Sequence, residues 1–265
     1  MDGLPAKEIE AIVATVAAVL KDGAMTRREL ADTIVTHRGE KARRWIEHSW
    51  GGLVRFACLR GLARFGPPRG AGITFVRRDR WLAPARAPSS SAGAWLLRRY
   101  LRSYGPAAVQ DVAAWSGMGL RELRSVAEGL GEELVALETE GGQGWILRED
   151  VRALENTKLA PPCVNLLPNF DTFLLGHRSK EAVVDPRHYK KVYRPAGWIS
   201  PSVLEDGRVA GTWSLERVAR RLEVRIAPFA TVSRSVHEAI AAEVQDIGRF
   251  LAEDARPHWV RPGRD

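Results

Sequence analysis

The first half of this sequence is written twice. Gly23-Ala-Met-Thr-Arg-Arg-Glu29-Leu30-Ala31 and Gly105-Pro-Ala-Ala-Val-Gln-Asp111-Val112-Ala113 share their glycine, acidic, aliphatic and alanine positions at an offset of 82 residues. Repetition at a fixed spacing means two copies of one supersecondary unit, so the fold of one copy largely decides the fold of the other.

In the first copy, Ile9, Ile12, Val13, Val16, Val19 and Leu20 lie on one face of a helix over Glu8–Lys21, which stops at Asp22-Gly23. Thr26-Arg-Arg-Glu29 has the form of a capping box, in which two side chains reciprocally satisfy free backbone N–H groups, and the helix it opens is expected to reach about Thr36. A third helical stretch is expected from about Glu40 to Gly61. Leu62-Ala-Arg-Phe65 and Ile73-Thr-Phe-Val76 then flank the turn-rich Gly66-Pro-Pro-Arg-Gly-Ala-Gly72 as a hairpin.

The second copy repeats that order over Ala94–Ser103, Ala107–Trp115 and Gly119–Leu130, with Leu134–Glu138 and Trp145–Arg148 around Gly141-Gly-Gln-Gly144. Three helices and a hairpin make a winged helix. A helical solenoid is the alternative, but solenoids usually need more than two repeats, and each copy here ends in a hairpin signal. The Pro/Ser/Gly-rich Ala83–Gly93 separates the copies as a linker.

After Glu155 short apolar runs and turn residues take over. Val164–Leu167, Thr172–Leu175, Trp198–Ile199, Ser202–Leu204, Arg208–Trp213 and Leu222–Ile226 read as strands of a small antiparallel β domain, with Asp206-Gly207 as a hairpin turn. Ser233–Ala252 carries Val236, Ile240, Val244, Ile247 and Leu251 on one face and closes the domain as a helix, while Arg256–Asp265 is expected to fray. The expected fold class is α+β: a winged helix over 1–85, a second over 86–156, and a β-rich domain with a terminal helix over 157–265.

Thirty-three of the forty basic residues are arginine, against thirty-two acidic residues, leaving a net charge of +8. Arginine reads phosphate and guanine bidentately, so the balance points to nucleic acid. A GC-rich genome accounts for arginine in place of lysine equally well. In a winged helix the third helix is dimensioned for the major groove. The candidate DNA contacts there are Lys41, Arg43, Arg44, Arg55 and Arg60, preceded by Arg38, with Arg69, Arg77, Arg78 and Arg80 on the wing. The second copy offers Arg121 and Arg124, opposed by Glu122, Glu128, Glu132 and Glu133. Lys180, Arg187, Lys190, Lys191 and Arg194 form a further basic cluster. Each is also explained as a solvated surface residue.

No apolar run reaches the roughly 18 residues that cross a membrane. Cys58 and Cys163 lack metal-ligand or disulfide-framework spacing, and Met1–Lys7 lacks a secretory start, so a cytoplasmic, nucleoid-associated location is expected. No P-loop, GxSxG, GxGxxG or HExxH pattern occurs, and Asp171, His177, Asp185 and His188 match no ligand spacing, so neither a cofactor nor a metal is expected.

Three stretches resemble a known family: Tyr100-Leu-Arg-Ser-Tyr-Gly-Pro-Ala-Ala-Val-Gln-Asp-Val-Ala-Ala-Trp-Ser-Gly117, Leu166-Leu-Pro-Asn-Phe-Asp-Thr-Phe-Leu-Leu-Gly-His-Arg178 and Gly207-Arg-Val-Ala-Gly-Thr-Trp213. They resemble the tandem winged-helix family typified by the AlkZ and YcaQ DNA glycosylases. The resemblance spans nearly the whole chain and implies a basic scaffold that grips duplex DNA and excises an alkylated base or unhooks a crosslink. Asp171, His177 and Arg178 lie in its most specific stretch, Asp171 and Arg178 as a structural salt bridge or as part of a DNA-facing loop.

The family's catalytic signature, Gln-x-Gln or Gln-x-Asp in an N-terminal unit, is missing. The glutamines are Gln110, Gln143 and Gln245, none with Gln or Asp two residues on, and Gln110-Asp111 is expected to be helix surface. The resemblance begins with the family's second unit, so the catalytic unit is expected to be lost or to lie upstream of Met1. The leading expectation is a duplex-DNA-binding relative with no catalytic residue of its own in this chain. The alternatives are a glycosylase completed by an upstream unit, and a winged-helix transcriptional regulator. The oligomeric state is left open.

Overall fold

The Thr26 hydroxyl accepts the Glu29 N–H at 3.3 Å and Glu29 Oε2 accepts the Thr26 N–H at 2.7 Å, the reciprocal cap its sequence encodes. The structure, a computed structural model, describes residues 4–48, 52–82, 91–139, 142–158, 160–219 and 221–260. It forms two compact units, residues 1–87 and 88–265, of mixed α and β structure. Most of the linker expected over 83–93 lies outside the described residues. Its last three residues already open a helix, where Ser91 Oγ accepts the Ala94 N–H.

The first unit runs α1 (Ala6–Val19), β1 (Met25–Thr26), α2 (Arg27–Arg38), α3 (Arg43–Ile46), α4 (Gly52–Leu59), β2 (Ala63–Phe65), β3 (Thr74–Arg77) and α5 (Arg78–Trp81). The helical stretch expected from Glu40 to Gly61 is not continuous. It begins as a 3-10 turn at Glu40–Ala42 and breaks between α3 and α4, with part of the break at 49–51 outside the described residues. Gly52 is the reason: its φ is +46°, and a Cβ there would lie 1.9 Å from the Trp45 carbonyl oxygen, so only glycine permits this re-entry into helix. Ile12, Val16, Leu30, Ile34, Ile46, Leu53 and Phe75 are buried together, each worth roughly 1.5–3 kcal/mol removed from water. The sheet has the order β1-β3-β2, all antiparallel.

The second unit opens with α6 (Ala92–Tyr104), α7 (Val109–Ser116), α8 (Leu120–Leu130), β4 (Leu134–Thr139), β5 (Gly142–Leu147) and α9 (Arg148–Asn156). The 82-residue offset survives in its details. Met25 pairs with Phe75 on β3, and Ala107 likewise bridges Trp145 on β5, each just before the second helix of its copy. Asp111 Oδ2 accepts the Ala108 N–H at 3.0 Å, as Glu29 serves Thr26. Tyr100, Leu97, Val112 and Leu123 centre this core.

The remainder runs β6 (Val164–Leu167), α10 (Phe173–Gly176), α11 (Tyr189–Val192), β7 (Ser202–Glu205), β8 (Arg208–Val218), β9 (Arg221–Pro228), α12 (Arg234–Leu251) and β10 (Asp254–Trp259). Its five-stranded sheet has the order β10-β9-β8-β7-β6. Three expectations are corrected. Thr172–Leu175 is not a strand but the start of a helical turn, because Asp171 Oδ1 accepts the Phe173 N–H at 2.8 Å and turns the chain. Trp198–Ile199 contributes only an isolated bridge, Tyr193 to Ile199. The tail does not fray over 256–259: α12 is the crossover a parallel pair requires, and β10 lies parallel to β9, with Ala255 and Trp259 packed on the core. Residues 261–265 lie outside the described residues.

Because side chains alternate across a strand, Val203 packs toward α12 while Leu204 faces the opposite layer with Leu174, Val184 and Val192. The segment 168–199 therefore covers the sheet face that α12 leaves open.

Candidate nucleic-acid interface

In the first unit the cations singled out from the sequence divide into two groups. Arg43 donates to Asp32 at 2.7 Å, Glu40 at 2.6 Å and Glu47 at 3.3 Å, and these partners hold its guanidinium protonated well above the usual range. Arg77 is held by Asp79 at 2.6 Å, and Arg38 Nε donates to the Thr15 hydroxyl at 2.8 Å. Those three are tied within the unit, as are Arg60, paired with Glu10, Arg69, paired with Glu29 at 2.6 Å, and Arg80, which donates to the Lys21 carbonyl at 3.2 Å. Lys41, Arg44 and Arg55 are exposed and form no ion pair with any described residue. Arg44 lies against the Trp45 ring, 4.7 Å from its centre, which leaves its charge to solvent. Arg78 is half-buried beside the hairpin.

In the second unit, Arg121 and Arg124 stand exposed on α8 without an ion pair among the described residues. The stretch Leu166–Arg178 is held from both sides. The Tyr100 hydroxyl, fully buried, donates to the Gly176 carbonyl at 2.7 Å, and burial pushes its pKa far above the ordinary tyrosine range. A Cβ on Gly176 would lie 2.5 Å from Tyr104 Cδ1, so glycine lets the chain pass against that ring. Asp111 Oδ1 accepts the Arg178 N–H at 2.8 Å. This corrects the expectation of plain helix surface at Gln110-Asp111: Gln110 is exposed, but Asp111 bonds both its own helix start and the Arg178 backbone.

Asp171 and Arg178 form no salt bridge with each other. Asp171 turns the chain toward α10, His177 sets its ring edge-on to Tyr104 at 6.5 Å, and the Arg178 side chain lines a surface groove. That groove, of about 660 Å³, is lined by Arg178, Lys180, Glu181, Val184, Tyr189 and Lys190, with Ser179, Pro186 and Arg187. Lys180 donates to the His177 carbonyl, and burial lowers its ammonium pKa, with Asp111 opposing the shift. Arg187 is clamped on Asp185 at 2.7 Å, which holds that carboxyl far below the usual range. Lys191 stands 5.6 Å from the Phe229 ring centre.

Residues 1–250 match the family described as DNA glycosylase AlkZ-like. The chain belongs to the AlkZ-like DNA glycosylase family. An interstrand DNA cross-link repair glycosylase of Streptomyces sahachiroi is 30% identical over 267 residues, covering 93% of this chain and 67% of that protein. The solved structure of the Streptomyces sahachiroi DNA glycosylase AlkZ superposes with a TM-score of 0.79 at 29% identity, covering 97% of this chain and 71% of that one.

Within this AlkZ-like chain, sequence reasoning passed over Tyr100, Tyr104, Asp111 and Gly176 as site-shaping residues. A small residue in the apolar run Phe173–Gly176 was the available signal. Tyr189 and Tyr193, stacked at 4.8 Å, were hidden by the lysines around them. Asp185 and His188 do not join Asp171 and His177: Asp185 serves Arg187, and His188 stacks on Phe229 at 4.1 Å. Among the described residues no three His, Cys, Asp or Glu side chains converge as metal ligands, and no helix is long and apolar enough to cross a membrane.

Proposed function

We propose that this AlkZ-like protein is a winged-helix DNA-binding protein that grips duplex DNA through phosphate contacts, and that residues 1–265 do not themselves hydrolyse a glycosidic bond. Residues 1–85 and 86–156 are its two winged helices and 157–265 its β-rich domain, and it works on the chromosome in the cytoplasm. The observation that supports the reading is the trio Lys41, Arg44 and Arg55, exposed and without an ion pair among the described residues, on the segment we read as the recognition helix. Arg78, Arg121, Arg124, Lys190 and Lys191 extend the phosphate contacts. Arg38, Arg43 and Arg77, tied to neighbours, set the shape of the surface and neutralise little phosphate. Catalytic silence is supported by the placement of Gln110, Gln143 and Gln245, each exposed and each lacking Gln or Asp two residues on.

The second reading is base excision. It is favoured by the 30% identity to a protein described as an interstrand DNA cross-link repair glycosylase.

One experiment tests both: binding across a salt series to a plain duplex and to the same duplex carrying an alkylated purine, with base release followed in the same samples. Arg44→Ala with Arg55→Ala should weaken binding to both duplexes and flatten the log–log salt slope by about two units, since each neutralised phosphate releases nearly one counterion. Arg43→Ala should leave the slope in place. An unaltered slope in the double variant refutes the phosphate assignment, and base release above background replaces the first reading with the second.

A further inference from the structure

We propose that the groove beside α11 takes an unpaired stretch of DNA strand, one base stacked on Tyr189 and its flanking phosphates held by Arg178, Lys180 and Lys190. The proposal rests on the DNA-binding reading above and deepens it from duplex to unpaired strand.

Tyr189 is 44% exposed, a large apolar face left in water on a short helix. It is nonetheless held in place, because its ring stacks on Tyr193 at 4.8 Å with 28° between planes. Tyr193 is itself pinned: its hydroxyl donates to the Leu174 carbonyl at 2.7 Å, its backbone bridges Ile199, and burial pushes its pKa up to about 12. A ring on such a base has little freedom left to lose when a ligand stacks on it, which favours stacking over a loose hydrophobic contact.

Cations share the groove with this ring. Lys180 Nζ stands 5.7 Å from the Tyr193 ring centre, donates to the His177 carbonyl and forms no ion pair among the described residues, with only the more distant Asp111 carboxylate offsetting its partial burial. Arg178 and Lys190 line the same groove, with Glu181 as the opposing carboxylate. Its volume of about 660 Å³ has room for a nucleotide. Bases within a duplex are stacked on one another and present edges only, whereas an aromatic platform among cations recognises the open face of an unpaired base.

The test is fluorescence anisotropy on the intact protein with three probes: a blunt duplex, the same duplex with a single-stranded thymidine tail, and the tail strand alone. The expected result is about tenfold tighter binding of the tailed than of the blunt duplex, from one base stacked on an aromatic side chain. Tyr189→Ala should bring the tailed-to-blunt ratio near one, and Tyr189→Phe should keep it, which separates stacking from the fold of α11. Equal affinity for tailed and blunt duplexes, or a ratio that survives Tyr189→Ala, overturns the inference while duplex binding stands. Failure to bind any of the three probes overturns both readings.

Discussion

Gly176→Ala is a one-carbon perturbation whose effect follows from the packing of the 166–178 stretch. The added Cβ would sit 2.5 Å from Tyr104 Cδ1 and 3.0 Å from both Cγ and Cε1, against an ordinary contact distance of 3.4–4 Å. Clearing it requires a displacement of about 1 Å, an overpacking strain of about 1–3 kcal/mol. Two groups oppose an easy escape. The Gly176 carbonyl is held by the buried Tyr100 hydroxyl, and the Tyr104 ring is wedged between Tyr100 at 5.2 Å and Trp115 at 6.1 Å. The better helix propensity of alanine works in the other direction by at most about 1 kcal/mol. Scanning calorimetry of the intact protein should therefore show the transition of the second unit fall, by up to about 12 °C. The decisive comparison is the double-mutant cycle with Tyr104→Ala, which removes the ring the new methyl strikes. In that background Gly176→Ala should lose most of its effect, a coupling of about 1 kcal/mol or more. An undiminished effect without the ring would refute steric strain against Tyr104 as the cause.

Tyr100→Phe should destabilise the same unit by about 1–3 kcal/mol, because it leaves the buried Gly176 carbonyl without a donor, and denaturant unfolding reads the change; a shift below about 0.3 kcal/mol would show that water replaces the hydroxyl. In the first unit, Glu29 has its carboxyl pKa lowered from 4.5 mainly by the Thr26 N–H, then by the Thr26 hydroxyl and Arg69. A carboxyl with a depressed folded pKa stabilises the fold above its unfolded value and loses that contribution as pH falls through the folded value. Hydrogen exchange of the α2 amides should accordingly accelerate in the native chain, relative to Glu29→Gln, as pH falls from about 4.5. A parallel response in the two proteins would assign the acid sensitivity to other carboxyls.

Local chemistry was legible wherever the responsible atoms lie close in sequence. The Thr26 cap needs only Thr26 and Glu29, the Asp206-Gly207 turn only its two positive-φ residues, and α12 only its apolar face. The repeat was legible for the same reason, and its offset reappears as the paired bridges of Met25 and Ala107. Elements whose partner is distant were misread. Asp254–Trp259 alternates like a strand, with Ala255 and Trp259 turned inward, but α12 ends at Ala252 in a left-handed conformation that has no glycine to announce it. The break at Gly52 depends on the approach of the Trp45 carbonyl, which no spacing rule contains.

At the candidate interface the sequence by itself determined that the chain is basic, arginine-rich and repeated, because charge and periodicity are sums over residues and survive any folding. Which of those charges are available was decided by tertiary structure alone. Arg43 and Arg44 are neighbours in sequence, yet one lies among Asp32, Glu40 and Glu47 while the other leans on Trp45 and keeps its charge in solvent. Asp111 and Arg178 are 67 positions apart, and their bond exists only because the α10 turn packs against α7. A salt bridge or a buried acceptor depends on distances of a few ångströms between residues far apart in the chain, and those distances are set by the packing of whole elements rather than by the residues that meet.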